Sequence, residues 1–262
     1  MATLSVNVNK VATLRNSRGG SEPDVLRAID VCIAAGAPGI TIHPREDQRH
    51  ITAADFITIA AHLAPLRGRV ELNVEGDPRP ALMDRVVELR PDQCTLVPVA
   101  RGEITSQAGW PADTAPGMLR PVIARLQDAG IRVSLFVDPA EAPVRWASRL
   151  GADRVELYTE PFARAFARSE SEGRARFEDY ASAATFAHSL GLGVNAGHDL
   201  DLDNLTLFRQ LPHLGVDVRG GRRRARPAAA CRHQCREEHA YGSGPTGLCE
   251  PHALSSLSAP WK

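Results

Sequence analysis

The sequence predicts an α/β fold of repeated βα units, either a (β/α)8 barrel or a doubly wound sheet. Two observations support it. An amphipathic helical stretch that ends in glycine runs into a short apolar strand again and again, at AAGAPGITIH, LQDAGIRVSLFV, SRLGADRVELY and HSLGLGVNAG. The strands also read as nearly continuous apolar runs, as parallel strands covered on both faces do.

Taken in chain order, LSVNVN opens the first strand and GITIH the second. VELNVE, near 70 to 75, is the third, and QCTLVP, near 93 to 98, the fourth. IRVSLFV, DRVELY and LGVNAG follow as the fifth to seventh, each strand leading into a loop and a helix. Gly36, Gly130, Gly151 and Gly191 stand at the helix exits. There a left-handed residue ends the helix, a conformation that side chains enter only at a cost. No GxGxxG or GxxxxGK[ST] loop follows the first strand, which argues against a dinucleotide or nucleotide site.

Composition narrows the function. The chain has 262 residues, 43% of them hydrophobic, enough for a full core. Lys+Arg and Asp+Glu balance at 31 each, so no global field attracts nucleic acid or a membrane surface, and any anion site must be local. No window approaches the roughly 18 uninterrupted apolar residues of a membrane span, and MATLSVNVNK lacks the pattern of a secretory leader. Five cysteines, an odd number, suggest no disulfide framework. A cytoplasmic location is expected.

In a barrel, chemistry gathers at the carboxyl ends of the strands. Strand one ends in Asn7, Asn9 and Lys10, followed by ATLRNSRGG with Arg15 and Arg18; strand two ends in His43, Arg45 and His50. Strand three ends in Glu75, strand six in Glu156, and strand seven in Asn195, Gly197 and His198. A solvated loop explains one such end, but five polar ends on one rim point to a site. Histidines and carboxylates in a confined pocket exchange protons near neutral pH. Arg15, Arg18, Arg45 and Lys10 are of the type that grips phosphate, which points to small phosphorylated molecules.

The segments VNVNKVATLRNSRGG, GITIHPREDQRHIT, LNVEGDP, TLVPVARGEITSQAGW, VSLFVDP and VNAGHDL, in this order from about residue 4 to about 214, resemble the signature segments of the pyridoxine 5′-phosphate synthase family. The resemblance implies a (β/α)8 TIM-type barrel, a homo-oligomer (an octamer in the family), and no metal or organic cofactor. It implies condensation of 3-amino-2-oxopropyl phosphate with 1-deoxy-D-xylulose 5-phosphate to give pyridoxine 5′-phosphate, phosphate and water. Carried over by position, His43 and Glu75 correspond to proton acceptors, His198 to a proton donor on the far side of the pocket, and Glu156 to a carboxylate that stabilises charged intermediates. Asn7 and Arg18 correspond to contacts with the amino ketone phosphate. Asn9, Lys10, Arg45, His50 and Thr105 correspond to contacts with the deoxyxylulose phosphate, and Asp199 is also placed among the substrate contacts. This chain has Asn9-Lys10 where other members carry Asp-His. VPVARGEITSQAGWP, after strand four, resembles the loop that closes over substrate and excludes water.

The carboxyl-terminal part departs from the family pattern. Residues 1–214 are expected to form the barrel domain. Residues 215–262, rich in Arg, Ala, Gly and Pro, show no apolar periodicity long enough for a helix and are expected to be disordered. The family's eighth strand, with its Gly-His pair, and its closing helix are thus degenerate or missing, as an out-of-frame translation of the gene would produce. Cys231, His233, Cys235, His239, Cys249 and His252 match no common zinc-finger spacing, and RGGRRRAR is a short basic run. Neither a metal nor nucleic acid is expected. The rival to an active synthase is a catalytically impaired barrel remnant that binds phosphorylated ligands without turnover.

Overall fold

The computed structural model describes residues 3–98 and 108–215. Thr105, most of the VPVARGEITSQAGWP segment and the chain beyond Gly215 lie outside the described residues. Seven parallel strands, β1 (Ser5–Asn7), β2 (Gly39–Ile42), β3 (Glu71–Gly76), β4 (Gln93–Leu96), β5 (Arg132–Val137), β6 (Arg154–Tyr158) and β7 (Gly193–Gly197), pair in sequence order. The helices between them are α1 (Asn9–Arg18), α2 (Val25–Ala34), α3 (Ala53–Leu63), α4 (Pro80–Leu89), α5 (Pro116–Asp128), α6 (Glu141–Leu150), α7 (Glu160–Arg168) and α8 (Glu170–Ser189), with a short α9 (Leu205–Phe208) after β7. Strict neighbour pairing of parallel strands with helical crossovers is the TIM-type arrangement rather than the doubly wound one, whose order reverses at a switch point. The sheet is curled, since Thr95 Oγ1 on β4 reaches Glu156 Oε2 on β6, two staves away, at 3.2 Å. At the outer edge of β7, Leu214 bridges Val194 in parallel and the Gly215 N–H donates to the Val194 carbonyl at 2.9 Å. The chain therefore arrives where an eighth stave belongs.

The glycine exits are as expected, with φ of +94° at Gly36, +81° at Gly130, +86° at Gly151 and +76° at Gly191. The strands differ from the expectation of continuous apolar runs. Residues of one parity, among them Ile40, Ile42, Leu72, Val74, Cys94, Leu96, Val133, Leu135, Val155, Leu157 and Val194, are buried aliphatic or thiol side chains of the main core. Residues of the other parity are polar: Thr41, Asn73, Gln93, Thr95, Ser134, Arg154 and Glu156 are all buried. Several of them bond to one another or to a neighbouring strand on the concave face: Ser5 Oγ lies 2.7 Å from Thr41 Oγ1, and the Asn73 Oδ1 accepts from both Gln93 and Thr95 at 3.1 Å. The outer faces make the hydrophobic core with the helices, and the inner face is a polar lining, as buried polar groups require partners.

A second difference follows β1. The strand expected over LSVNVN stops at Asn7, and Asn9 and Lys10, expected at its end, open the helix α1, which runs from Asn9 to Arg18. Its polar sequence shows no apolar stripe, and it is held by tertiary bonds instead. Arg15 makes a bidentate pair with Asp55 of α3, both contacts 2.7 Å, and Asn16 Nδ2 donates to the His50 carbonyl at 2.7 Å. Arg15 is thus a structural clamp rather than a phosphate ligand. Asp55 also closes a capping box with Thr52 at the start of α3. Among the described residues no helix is long and apolar enough to cross a membrane.

Candidate active site

The second βα loop is fastened on three sides. At its start the His43 N–H donates to Asn9 Oδ1 at 2.9 Å, joining the ends of β1 and β2. Farther along, Asn16 holds the His50 carbonyl, and from below Arg79 at the start of α4 donates to the Pro44 carbonyl at 2.5 Å while pairing with Asp77. Arg79 thereby ties the loop after β2 to the loop after β3. Asn7 accepts from the Asn9 N–H at 2.9 Å, so both asparagines shape the corner where β1 enters α1. These bonds leave the side chains of His43 and Arg45 buried, with 8% exposure each.

His43 Nδ1 lies 3.6 Å from Glu75 Oε2. That is a contact rather than a formed hydrogen bond, of the kind that tightens when a ligand arrives. His43 Nε2 and His50 Nδ1 are buried without a hydrogen-bond partner among the described residues, and the two rings are 5.7 Å apart. Burial pushes His43 down to about 3, helped by the positive neighbourhood of His50, Arg45 and Arg79. Burial likewise pushes His50 down to about 4, with Arg45 the next cause. Both rings are neutral at pH 7. Arg45 lies against Asp47, with Nε 3.7 Å from Oδ2, and Lys10 on α1 adds its positive field at His50.

Facing this basic loop from the barrel interior are two carboxyl groups. Burial raises Glu75 well above its ordinary value, and Glu156 raises it further. Burial raises Glu156 to about 7, while the hydrogen bond from Thr95 works in the opposite direction. A negative charge on Glu156 thus favours the protonated form of Glu75. Gly197 gives Glu156 its room, because a Cβ there would sit 2.9 Å from Oε1.

The seventh strand ends in a tightly held corner. His198 and Asp199 both take left-handed φ, +98° and +57°, which side-chain-bearing residues rarely adopt. The strain is sustained by several bonds: Thr159 Oγ1 donates to the His198 carbonyl, the Thr159 N–H to the Gly197 carbonyl at 3.1 Å, and Asn204 Nδ2 to the Asp199 carbonyl at 3.1 Å. The His198 ring stands edge-on to Tyr158 at 5.1 Å. Its Nδ1 lies 2.9 Å from Asp199 Oδ2.

The structure thus gathers His43, Arg45, His50, Lys10, Glu75 and Glu156 at one end of the strands, with His198 and Asp199 on the same rim. Arg18 sits at the exposed end of α1, and among the described residues no hydrogen bond ties it to the cluster. Sequence reasoning missed Thr95, Tyr158, Thr159 and Asn204, which support the site, and Arg79, which straps two of its loops. The Arg-Pro at the start of α4 marks Arg79 as its N-cap, though not its reach to the loop after β2.

The sequence profile described as "Pyridoxal phosphate biosynthesis protein PdxJ" matches residues 4–219. A pyridoxine 5′-phosphate synthase of Leptospira biflexa is 48% identical over 224 residues, covering 82% of this chain and 86% of that protein. One of Cytophaga hutchinsonii is 49% identical over 215 residues, covering 82% and 87%. A match across nearly the whole described region, with the histidine and glutamate cluster at the strand ends, shows that this chain belongs to the PdxJ family of pyridoxal phosphate biosynthesis proteins.

Proposed function

We propose that the protein is a pyridoxine 5′-phosphate synthase, condensing 3-amino-2-oxopropyl phosphate with 1-deoxy-D-xylulose 5-phosphate and closing the pyridine ring with loss of phosphate and water. Family membership supports the reaction. The observation that carries the assignment of roles is the His43–Glu75 contact at 3.6 Å, backed by Glu156 on the same concave face.

The chemistry needs proton carriers on both sides of one bound intermediate. Schiff-base formation, phosphate elimination and carbon–carbon ring closure each move protons between adjacent atoms. A buried neutral imidazole with an open Nε2 suits His43 to the role of acceptor. Glu75 begins protonated, and the substrate's ammonium group beside it favours the ionised carboxylate, so Glu75 becomes a base when it is needed. His198, on the seventh stave, serves as donor from the other side. Glu156, raised to about 7, ionises as positive charge develops on the intermediate. Arg45, His50 and Lys10 hold one phosphate, with Asn9 fixing the loop that presents them. Asn7, Arg18 and Thr105 complete the substrate contacts. We further propose a cytoplasmic homo-oligomer, to be checked by light scattering.

Steady-state formation of pyridoxine 5′-phosphate tests the reading. The protein makes the product, and His43→Gln, Glu75→Gln and His198→Gln each lower turnover by about a hundredfold or more with the fold intact, as expected for lost acid–base groups. Near-normal turnover in all three variants overturns the assignment.

A further inference from the structure

The family resemblance places Asp199 among the substrate contacts, but the corner after β7 suggests a different use. We infer that Asp199 is a positioning residue for His198: its carboxylate holds the Nδ1 proton of the imidazole and so dedicates Nε2 to the barrel mouth. The inference rests on the reading of His198 as the proton donor.

Three observations support it. The first is the contact itself, 2.9 Å between His198 Nδ1 and Asp199 Oδ2. An ionised carboxylate only accepts, so the nitrogen facing it is the protonated one, and a neutral imidazole has a single N–H to give. The proton exchanged with a reacting molecule is then that of Nε2. Carboxylates that orient a catalytic imidazole in this way are familiar from unrelated hydrolases.

The second is the backbone. Adjacent residues would ordinarily point to different sides, and it is the pair of left-handed conformations, φ +98° and +57°, that brings these two side chains together. The protein maintains that conformation with buried groups. Thr159 is fully buried and grips the His198 carbonyl; Asn204, 2% exposed, grips the Asp199 carbonyl and accepts from the Asp201 N–H at 2.9 Å. A geometry sustained by buried side chains from two other segments is over-determined, as strained functional corners are.

The third is the ring plane. Tyr158 meets the imidazole edge-on, with planes at 83°, and is itself fixed by Phe136 at 5.4 Å and by the Tyr180 hydroxyl, which donates to its carbonyl at 2.7 Å. Position and plane are set by Tyr158, and Asp199 decides which nitrogen carries the hydrogen. Electrostatics argue in the same direction. A carboxylate presented to a doubly charged phosphate repels it, whereas one turned onto an imidazole N–H accepts a hydrogen bond from it.

The test uses the full-length protein with ring-15N histidine at about pH 8.5, two units above an ordinary histidine, so that tautomers are read directly. The His198 signals are identified by their loss in His198→Gln. The expected result is an Nδ1–H tautomer in the wild type that is lost in Asp199→Asn and Asp199→Ala. Alongside it, kcat falls about tenfold to a hundredfold in both variants while KM changes by less than about threefold; the loss is smaller than for a fully buried triad carboxylate because Asp199 is half exposed. An Nε2–H tautomer in the wild type overturns the inference, as does a tautomer indifferent to Asp199. So does a rise in KM at unchanged kcat, which would make Asp199 a substrate contact. Normal turnover in His198→Gln would instead defeat the donor role of His198 and with it the catalytic meaning of the pair, while the spectra would still report the contact.

Discussion

Replacing Glu156 by glutamine should make the protein more stable and less active, and the gain in stability should depend on pH. Glu156 is 8% exposed, and its carboxyl is raised from the ordinary 4.5 to about 7. Below pH 4.5 it is protonated whether the chain is folded or unfolded, and it contributes no pH dependence. Between pH 4.5 and 7 the unfolded chain releases the proton while the folded one keeps it, so the unfolded state binds fewer protons and stability falls as pH rises. Above the folded value the loss is complete, about 3 kcal/mol at about 1.4 kcal/mol per pH unit. Glutamine has the shape of the protonated acid and no proton to lose. It also removes the negative neighbour that raises Glu75, a change in the same direction. Thermal unfolding of wild type and Glu156→Gln from pH 4.5 to 8.5 reads the difference. The two should melt together near pH 4.5, and the variant should melt roughly 6–12 °C higher by pH 8, taking about 2–4 °C per kcal/mol for a domain of this size. Turnover should fall in parallel, as expected where a functional group is held against its own preference. A variant that is no more stable than wild type at pH 8, or a gap that does not widen with pH, would refute the argument that burial strains this carboxyl.

Three further outcomes follow from single contacts. Asp55→Ala removes both the bidentate Arg15 pair and the capping box of α3, so it should destabilise by about 2–3 kcal/mol in urea unfolding and loosen the loop that holds His50. Gly197→Ala places a Cβ 2.9 Å from Glu156 Oε1, whose other oxygen is held by Thr95; turnover should drop about tenfold with the melting temperature changed by less than about 2 °C. Gly109→Ala would bring a Cβ within 2.3 Å of the Val137 Cα, which as backbone cannot yield. The indole of Trp110, bonded to the Leu96 carbonyl and 6.5 Å from Trp146, should be displaced, with a changed tryptophan emission and a loss of about 2–3 kcal/mol.

Much of the architecture was legible because its signals are local. Glycine at Gly36, Gly130, Gly151 and Gly191 reports a left-handed helix exit whatever lies nearby, and each marks the strand that follows. The polarity of the barrel lining was not legible in the same way. Strands of four to six residues such as QCTL and ELNVEG leave only two or three positions per face, too few for an alternation to stand out from an apolar run. The start of α1 directly at Asn9 was not legible because NKVATLRNSR has no apolar stripe, and what holds it is Asp55, forty residues from Arg15. The same distance made Arg15 look like a phosphate ligand. Of the site, His43, Glu75, Glu156 and His198 were readable as strand-end groups. Their supports were not, since Arg79, Thr159 and Asn204 act through carbonyls of residues distant in sequence or hidden in a turn.

The central claim is that the second, third and seventh staves present their acid and base groups to one bound molecule. A crystal structure of the protein with pyridoxine 5′-phosphate tests it most directly. The account predicts the pyridine ring between the imidazoles of His43 and His198, with Glu75 within hydrogen-bond reach on the His43 side and the phosphate on Arg45 and His50. A ring bound elsewhere, or with both imidazoles on one side of it, would contradict the account.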